Sequence, residues 1–176
     1  MRINAFLPFL LLPLFVFAKS VTYKVYFGIF SAGKIEINFS PDKVEVTGKS
    51  GGVIGWFYRY KLHMVYDFKN PENTFMTEEE NGKRKTYNFE RILKKKSWLP
   101  LVVKLLSKTP NPEVLKTIKV GEYTVTLEKY ENNNFFFRVS GSRKTKSVKL
   151  FGWKRGDFPE RIEIETKAGT LVLIKT

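Results

Sequence analysis

The sequence predicts an all-β protein built from one antiparallel sheet of about ten strands. The sheet is expected to be strongly curved or rolled into a half-open β-barrel, with one short apolar helix as plug or lid. Three observations predict this class. Apolar residues recur at every second position along most of the chain, which is the period of a strand with one buried face. Turn residues separate these stretches. Only one segment replaces the alternation with an almost continuous apolar run.

The N-terminal residues are predicted to be a signal peptide. Arg2 precedes an apolar stretch over residues 5–18, and polar sequence follows from Lys19. The stretch is shorter than the roughly 20 residues that cross a bilayer as a helix. Ala18 supplies the small residue that a signal peptidase requires. We expect cleavage after Ala18, export to the periplasm and a single mature β domain over residues 19–176. A retained membrane anchor is the alternative interpretation.

The mature chain is strongly basic and has no cysteine. The full chain carries a formal charge of +14, and removal of residues 1–18 takes away only Arg2, which leaves +13. Without cysteine the domain forms no disulfide and has no thiol for a lipid anchor. Export makes nucleic acid a poor partner and favours an anionic membrane surface, a cell-wall polymer or an acidic protein. The alternative is that the lysines only keep the domain soluble.

Alternation justifies the strands of the first half in order. Residues 22–27, 34–39 and 43–47 alternate between apolar and polar side chains, and turns containing glycine or proline separate them. A glycine-rich segment over residues 49–55 is predicted to be a flexible loop. The longest predicted strand covers residues 56–68. One face of this strand carries only large apolar or aromatic side chains: Trp56, Tyr58, Tyr60, Leu62, Met64, Tyr66 and Phe68.

The remaining strands follow from turn signals. Asn81-Gly82 predicts a tight hairpin between strands over residues 74–79 and 84–89. The second half repeats the alternation, and Ala168-Gly169 joins its last two strands. These predicted strands cover residues 123–128, 135–139, 148–153, 160–166 and 170–175.

The segment that breaks the alternation predicts a helix over residues 98–106. Ser97 is a suitable N-cap residue, and Pro100 is tolerated in the first turn of a helix. Only Lys104 interrupts the apolar surface, so the helix is expected to be buried or to cover a hydrophobic region. The lysine run over residues 94–96 precedes it. The prolines of residues 109–112 end the helix.

The inventory of reactive side chains argues against an enzyme. The chain has no cysteine and one histidine, which excludes metal sites rich in histidine or cysteine. His63 lies on the polar face of the long strand, where nothing supplies a nucleophile for it. The glutamates of residues 78–80 and Glu160, Glu163 and Glu165 lie beside turns or on solvated strand faces. We expect no catalytic residues, no metal and no cofactor.

The aromatic residues, 15% of the chain, fit either a solid core or the wall of a cavity. Our leading hypothesis is a non-catalytic periplasmic protein that binds a hydrophobic or lipid-like ligand. The aromatic face of residues 56–68 would be the wall, and Trp98, Leu101 and Leu105 would lie on the lid. The alternative is a structural or interaction module of the envelope with a solid core. Its basic surface would dock on cell-wall polymer or an acidic partner. The sequence does not determine the oligomeric state.

Three segments carry a resemblance to a known family. Residues 158–170, FPERIEIETKAGT, resemble the closing signature of the uncharacterised exported bacterial family called domain of unknown function three-one-zero-eight. The opening YKVYFG of residues 23–28, with Ala32-Gly33, is similar to its first hairpin. ENGK of residues 80–83, leading to YNF of residues 87–89, is similar to its central hairpin.

The resemblance covers most of the mature chain and departs from the family in the middle. Lys96-Ser97-Trp98-Leu99 stands where the family has an Asp-x-Leu-Ser helix start. The resemblance implies a strongly curved antiparallel sheet similar to that of the LolA-like lipoprotein carriers. By the same analogy it implies a hydrophobic or lipidic ligand, and it supplies no catalytic residues.

Overall fold

The protein is one antiparallel sheet of twelve strands, as seen in a computed structural model that describes residues 19–176. The predicted signal peptide, residues 1–18, lies outside the described residues. The first half of the chain supplies six strands: β1 (Lys19–Phe27), β2 (Phe30–Phe39), β3 (Lys43–Ser50), β4 (Tyr60–Asp67), β5 (Phe75–Glu80) and β6 (Lys83–Asn88). The second half supplies the others: β7 (Thr117–Val120), β8 (Tyr123–Glu131), β9 (Asn134–Ser140), β10 (Thr145–Phe151), β11 (Arg161–Thr166) and β12 (Gly169–Lys175).

The strand order is β6-β5-β4-β3-β2-β1-β12-β11-β10-β9-β8-β7. Two meanders therefore meet where β1 pairs with β12, in the middle of the sheet. The edge strands β6 and β7 do not pair with each other, so the sheet is open. The all-β antiparallel class is confirmed, but the described residues form twelve strands and not about ten. β7 was not predicted, because an element of four residues is too short for alternation to be recognised.

The structure has three α-helices in the described residues, α1 (Gly52–Phe57), α2 (Phe89–Lys95) and α3 (Trp98–Leu106). The predicted bounds of α3 are confirmed, with Ser97 at the N-cap position. The prediction was wrong for residues 49–55, which finish β3 and open α1 and are not a loop. The predicted strand over residues 56–68 also starts too early, since β4 begins at Tyr60.

The local causes of α1 and α2 are visible in the backbone. Gly52 has φ +60°, a conformation that glycine adopts easily, and it turns the chain out of β3. Asn88 caps α2, because its side-chain oxygen accepts a hydrogen bond of 3.0 Å from the backbone N–H of Arg91. β6 consequently ends at Asn88.

The two faces of the sheet differ in chemistry. Alternate residues of every long strand are buried on the inner face, where α2 and α3 join the strands in one hydrophobic core. The chain crosses this face from the edge strand β6 to the opposite edge strand β7 through α2 and α3. The Tyr123 hydroxyl of β8 donates a hydrogen bond of 3.0 Å to the Leu93 carbonyl oxygen of α2. The second half of the sheet therefore contacts the helices directly.

The helix α3 is integral to this core. All of its apolar residues after Trp98 are buried, and the exposed fraction of Leu101 and Leu105 is 0%. Lys104 lies 5.1 Å from the centroid of the Phe68 ring. Of the two predicted roles, burial favours a plug over a lid. No helix within residues 19–176 has the length and apolar character needed to span a membrane.

Gly33 is a position where a side chain does not fit. A Cβ there would lie 2.0 Å from the Lys49 carbonyl oxygen, and φ is +150°. We expect Gly33→Ala to lower the free energy of unfolding by about 3 kcal/mol or more, through strain and overpacking. Gly28→Ala is the matched control, because φ is +60° but no atom lies within 4 Å, and it should cost about 1 kcal/mol. Urea denaturation measures both, and equal losses would contradict this account.

The plug role of α3 can be tested at its two central leucines. Each of Leu101→Ala and Leu105→Ala should lower the free energy of unfolding by about 2–5 kcal/mol, because each leaves a cavity in the core. Replacing both with Ser should unfold the domain, as seen by far-ultraviolet circular dichroism and thermal melting. A double variant that keeps a β-type spectrum and a cooperative transition would show that α3 detaches like a lid.

Candidate functional site

The structure brings some of the predicted ligand-binding residues together and separates others. Leu62, Met64 and Tyr66 of β4 lie in the same core cluster as Leu101 and Leu105 of α3. Tyr60 and Phe68 lie partly buried at the two ends of this wall. These residues of the aromatic face and of the helix therefore belong to one hydrophobic core.

Trp56 and Tyr58 do not belong to this wall. Trp56 lies in α1 and is 85% exposed. Tyr58 follows α1, and its ring stacks on Tyr60 with 6.1 Å between centroids. The prediction placed both on the buried face because they continue the alternation of β4, but the strand begins only after them.

Open space remains on both sides of Trp98, at the start of α3. One cavity of about 500 Å³ has Trp98 on one side, and on the other side the end of β1 together with the β11–β12 turn. A smaller cavity of about 140 Å³ lies between Trp98 and β1–β4. We call these two spaces, with the partly buried Trp98 between them, the Trp98 cleft.

Apolar side chains and lysines line the Trp98 cleft. Its apolar lining includes Val25, Phe27, Ile35, Leu62 and Leu171. Four lysines stand around the larger cavity, from the α2–α3 junction, the segment before β10 and the β11–β12 turn: Lys95, Lys96, Lys144 and Lys167. None of the described residues that line either cavity is an aspartate or a glutamate. The cleft thus combines an apolar interior with a positive rim.

Ser97 anchors the start of α3 to the second half of the sheet. Its hydroxyl makes no capping hydrogen bond, although the sequence predicted one. It lies instead 2.7 Å from the Thr145 hydroxyl and accepts a hydrogen bond of 3.1 Å from the Ser142 hydroxyl. Ser97 and Thr145 are both buried. This pairing fixes Trp98 beside the larger cavity.

Lys96 anchors the same junction to the first half of the sheet. Its Nζ lies 3.0 Å from Glu78 Oε1 of β5 and 5.1 Å from the centroid of the Tyr60 ring. The Tyr60 hydroxyl donates a hydrogen bond of 2.6 Å to the same Glu78 oxygen. The Glu78 side chain is 6% exposed. A buried carboxylate is therefore neutralised at the edge of the smaller cavity.

The ionisation of this group follows from its contacts. Burial alone raises the pKa of Glu78, but the hydrogen bond from Tyr60 and the ammonium of Lys96 outweigh it, so the net pKa lies below its usual range. Burial, followed by the hydrogen bond to Glu78, raises the pKa of Tyr60. Glu78 is therefore ionised and Tyr60 neutral at pH 7.

Exposed apolar residues surround the end of the sheet that holds the Trp98 cleft. They belong to the β1–β2 turn, to the start of β2 and to α1: Ile29, Phe30, Val53, Trp56 and Phe57. Phe27 links them to the cleft, because it is partly exposed and also lines the larger cavity. Soluble proteins seldom expose several large apolar side chains in one region without a binding role.

The other predicted chemical groups lie elsewhere. His63 Nε2 is 2.9 Å from Glu45 Oε1 on the outer face of the sheet. Glu160 and Glu163 pair with Lys175 and Arg161, and the Ser147 hydroxyl donates to Glu165. Within residues 19–176, no group of three or more His, Cys, Asp or Glu side chains has the arrangement of a metal site.

Sequence reasoning found Trp98 but missed the groups around it. Glu78 was noticed only as part of an acidic run beside a turn, and the lysine run over residues 94–96 only as surface charge. Alternation does place Glu78 on the same face of the hairpin as Met76. A polar residue in an inward position was the available signal for a buried partner.

Comparison with known proteins places the chain in a family. It is 31% identical over 153 residues to an uncharacterised protein of Aquifex aeolicus (strain VF5), an alignment that covers 87% of this chain and 83% of that protein. The chain belongs to the same family as that protein. No family model matches the sequence.

The buried Glu78 carboxylate should make stability depend on pH. Because its folded pKa is lowered, ionised Glu78 stabilises the fold at neutral pH, and this contribution is lost as pH falls through the folded pKa. Glu78→Gln should lower the free energy of unfolding at pH 7 by about 1.5–3 kcal/mol. The difference from wild type should vanish in acid, in urea titrations at several pH values. Glu79→Gln, one residue along on the outer face, is the control, and an equal loss in it would contradict a specific role of Glu78.

Proposed function

We propose that the protein is a non-catalytic, exported protein that acts in the periplasm and binds an amphiphilic, lipid-like ligand. The observation that carries the proposal is the Trp98 cleft, which has an apolar interior, four lysines around its larger cavity and no carboxylate among the described residues that line either cavity. An apolar chain would lie beside Trp98, and an anionic group would meet the lysines.

The finer architecture belongs to the same proposal. We propose that the open sheet curves around α2 and α3 as a half-open barrel. Contacts from both halves of the sheet to the α2–α3 junction support this: Glu78 of β5 contacts Lys96, and Thr145 of β10 contacts Ser97. A sheet that approaches one helical junction from two sides leaves space only at its ends. The Trp98 cleft lies at such an end.

The size of the cleft sets the class of ligand. Cavities that take small molecules commonly enclose about 300–1,000 Å³, and the larger cavity beside Trp98 holds about 500 Å³. That volume suits an acyl chain with its headgroup outside. The interior under α3 is filled by leucines and valines, so the ligand would enter beside the plug rather than beneath it.

The lysines predict which amphiphiles bind best. Lys95 and Lys167 are exposed, and neither has a carboxylate oxygen within 4.0 Å among the described residues. The Lys144 ammonium donates a hydrogen bond of 3.4 Å to the Lys95 backbone carbonyl oxygen. This bond joins the segment before β10 to the end of α2 at the rim of the cavity. Cations placed in this way favour carboxylate or phosphate headgroups over neutral ones.

The test separates the apolar and the charged parts of the cleft. A fluorescent fatty acid should bind the wild type, and Lys95→Gln with Lys167→Gln should weaken its binding about tenfold, since each lost charge contact contributes up to about 1 kcal/mol. Binding of the uncharged fatty alcohol should change little. Ala168→Trp, which fills the larger cavity from the β11–β12 turn, should weaken binding of both ligands.

Lys116→Gln with Lys119→Gln is the matched control, because it removes the same charge from exposed positions before and within β7. An equal effect of this pair would assign the loss to net charge. No binding of either ligand by the wild type, together with no lipid in native mass spectra of protein purified from its own envelope, would refute the proposal.

A further inference from the structure

The register of the sheet aligns four lysines across four neighbouring strands. Lys24 of β1 is paired with Lys34 of β2, Lys34 with Lys49 of β3, and Lys49 with Lys61 of β4. They form one row across the four strands. We call these four residues the lysine row.

The lysine row lies on the outer face, opposite to α2 and α3. All four side chains are exposed. None has a carboxylate oxygen within 4.0 Å among the described residues, although eleven ion pairs of Lys or Arg with a carboxylate occur elsewhere in that part of the chain. Like charges directly opposite one another on adjacent strands are unfavourable. The folded protein therefore holds four positive charges together here without an ion pair among the described residues, although Glu79 of β5 is the cross-strand neighbour of Lys61.

A groove of about 670 Å³ runs over this face. Three lysines of the row and Arg84 line it, and the neighbouring rungs add hydroxyl groups from Thr22, Thr47 and Thr77. His63 lines it as well. Two carboxylates, Glu36 and Glu79, also line the groove, so cations outnumber anions by two among its Lys, Arg, Asp and Glu residues.

The length of the lysine row indicates which kind of ligand could contact all four lysines. Adjacent strands are about 4.8 Å apart, so the four lysines extend over roughly 14 Å. An anion that meets all of them is elongated and carries several charges along its length. Lysine binds phosphate as a point charge, and hydroxyl groups donate hydrogen bonds to phosphate oxygens. A groove suits a chain, whereas the exposed apolar residues that suit a membrane surface lie at the end of the sheet, around α1.

We propose that this outer groove is a binding site for a linear polyanion with repeated phosphate groups. The site is distinct from the Trp98 cleft in its threonines, Lys61, Glu79 and Arg84, which do not line the cleft, whereas Lys34 and Lys49 also line the smaller cavity. The chain would run across the strands along the lysine row, with the threonine hydroxyls beside it.

The probe is inorganic polyphosphate of long chain length, measured by isothermal titration with the full mature chain. Replacing Lys34, Lys49 and Lys61 with Gln should weaken binding about tenfold or more, because ionic contacts to phosphate dominate such affinities. The same three positions changed to Arg should retain binding. Tripolyphosphate should bind more weakly than the long chain, since it spans only part of the row.

The matched control removes the same charge outside the groove, by replacing Lys116, Lys119 and Lys154 with Gln, and should change affinity by no more than about twofold. Glu79→Gln should tighten binding, since it removes a carboxylate that lines the groove. This gain cannot arise from misfolding.

Three results would overturn the proposal. The first is a wild type that does not bind polyphosphate. The second is an equal loss of affinity for polyphosphate in the triple variant of the lysine row and in the control triple variant. The third is a row triple variant that loses binding to vesicles of phosphatidylglycerol while its binding to polyphosphate is unchanged, which would assign the lysine row to a lipid surface.

Discussion

The inner face of the sheet depends on one connection, the chain from the end of β6 to the start of β7. This connection contains α2 and α3 and crosses from one edge of the sheet to the other. Without it, a twelve-stranded sheet would expose a continuous apolar face to water. Each fully buried leucine or valine of α3 contributes about 1.5–3 kcal/mol relative to exposure, so the helix is a main source of stability.

Hydrophobic burial alone does not determine where this connection lies, because apolar contacts have little direction. The α2–α3 junction supplies direction through two buried polar contacts on successive residues. Lys96 meets the Glu78 carboxylate on one side, and Ser97 meets Thr145 on the other. A shift of the junction would leave the buried Glu78 carboxylate without its cation and the buried Thr145 hydroxyl without its Ser97 partner, and that cost exceeds the loss of a few apolar contacts. The position of Trp98, and with it the cleft, follows from these contacts.

The sequence was sufficient to predict the elements whose local signal is strong. The Asn81-Gly82 hairpin formed as expected, with φ values of +49° and +83°, and the predicted bounds of α3 were confirmed. The alternation of apolar and polar residues gave a wrong prediction where it continues unchanged past the true start of a strand. Trp56 and Tyr58 alternate in phase with β4, yet Gly52 turns the chain into α1 before the strand begins. The Glu78–Lys96 pair could not be predicted from spacing, because strand pairing and the helical connection bring the two residues together.

The lysine row could not be recognised for a related reason. Alternation assigns each of its lysines to the polar face, but only the register of three strand pairs shows that they are direct neighbours. A surface whose charge serves solubility mixes both signs, and mixing lowers repulsion at no cost to solubility. Four adjacent lysines with no carboxylate oxygen within 4.0 Å among the described residues, and with only Glu79 as a cross-strand neighbour at the Lys61 end, retain a repulsion that lowers the stability of the free protein. A bound polyanion relieves that repulsion on binding, so the arrangement that weakens the free protein is the one that strengthens its complex.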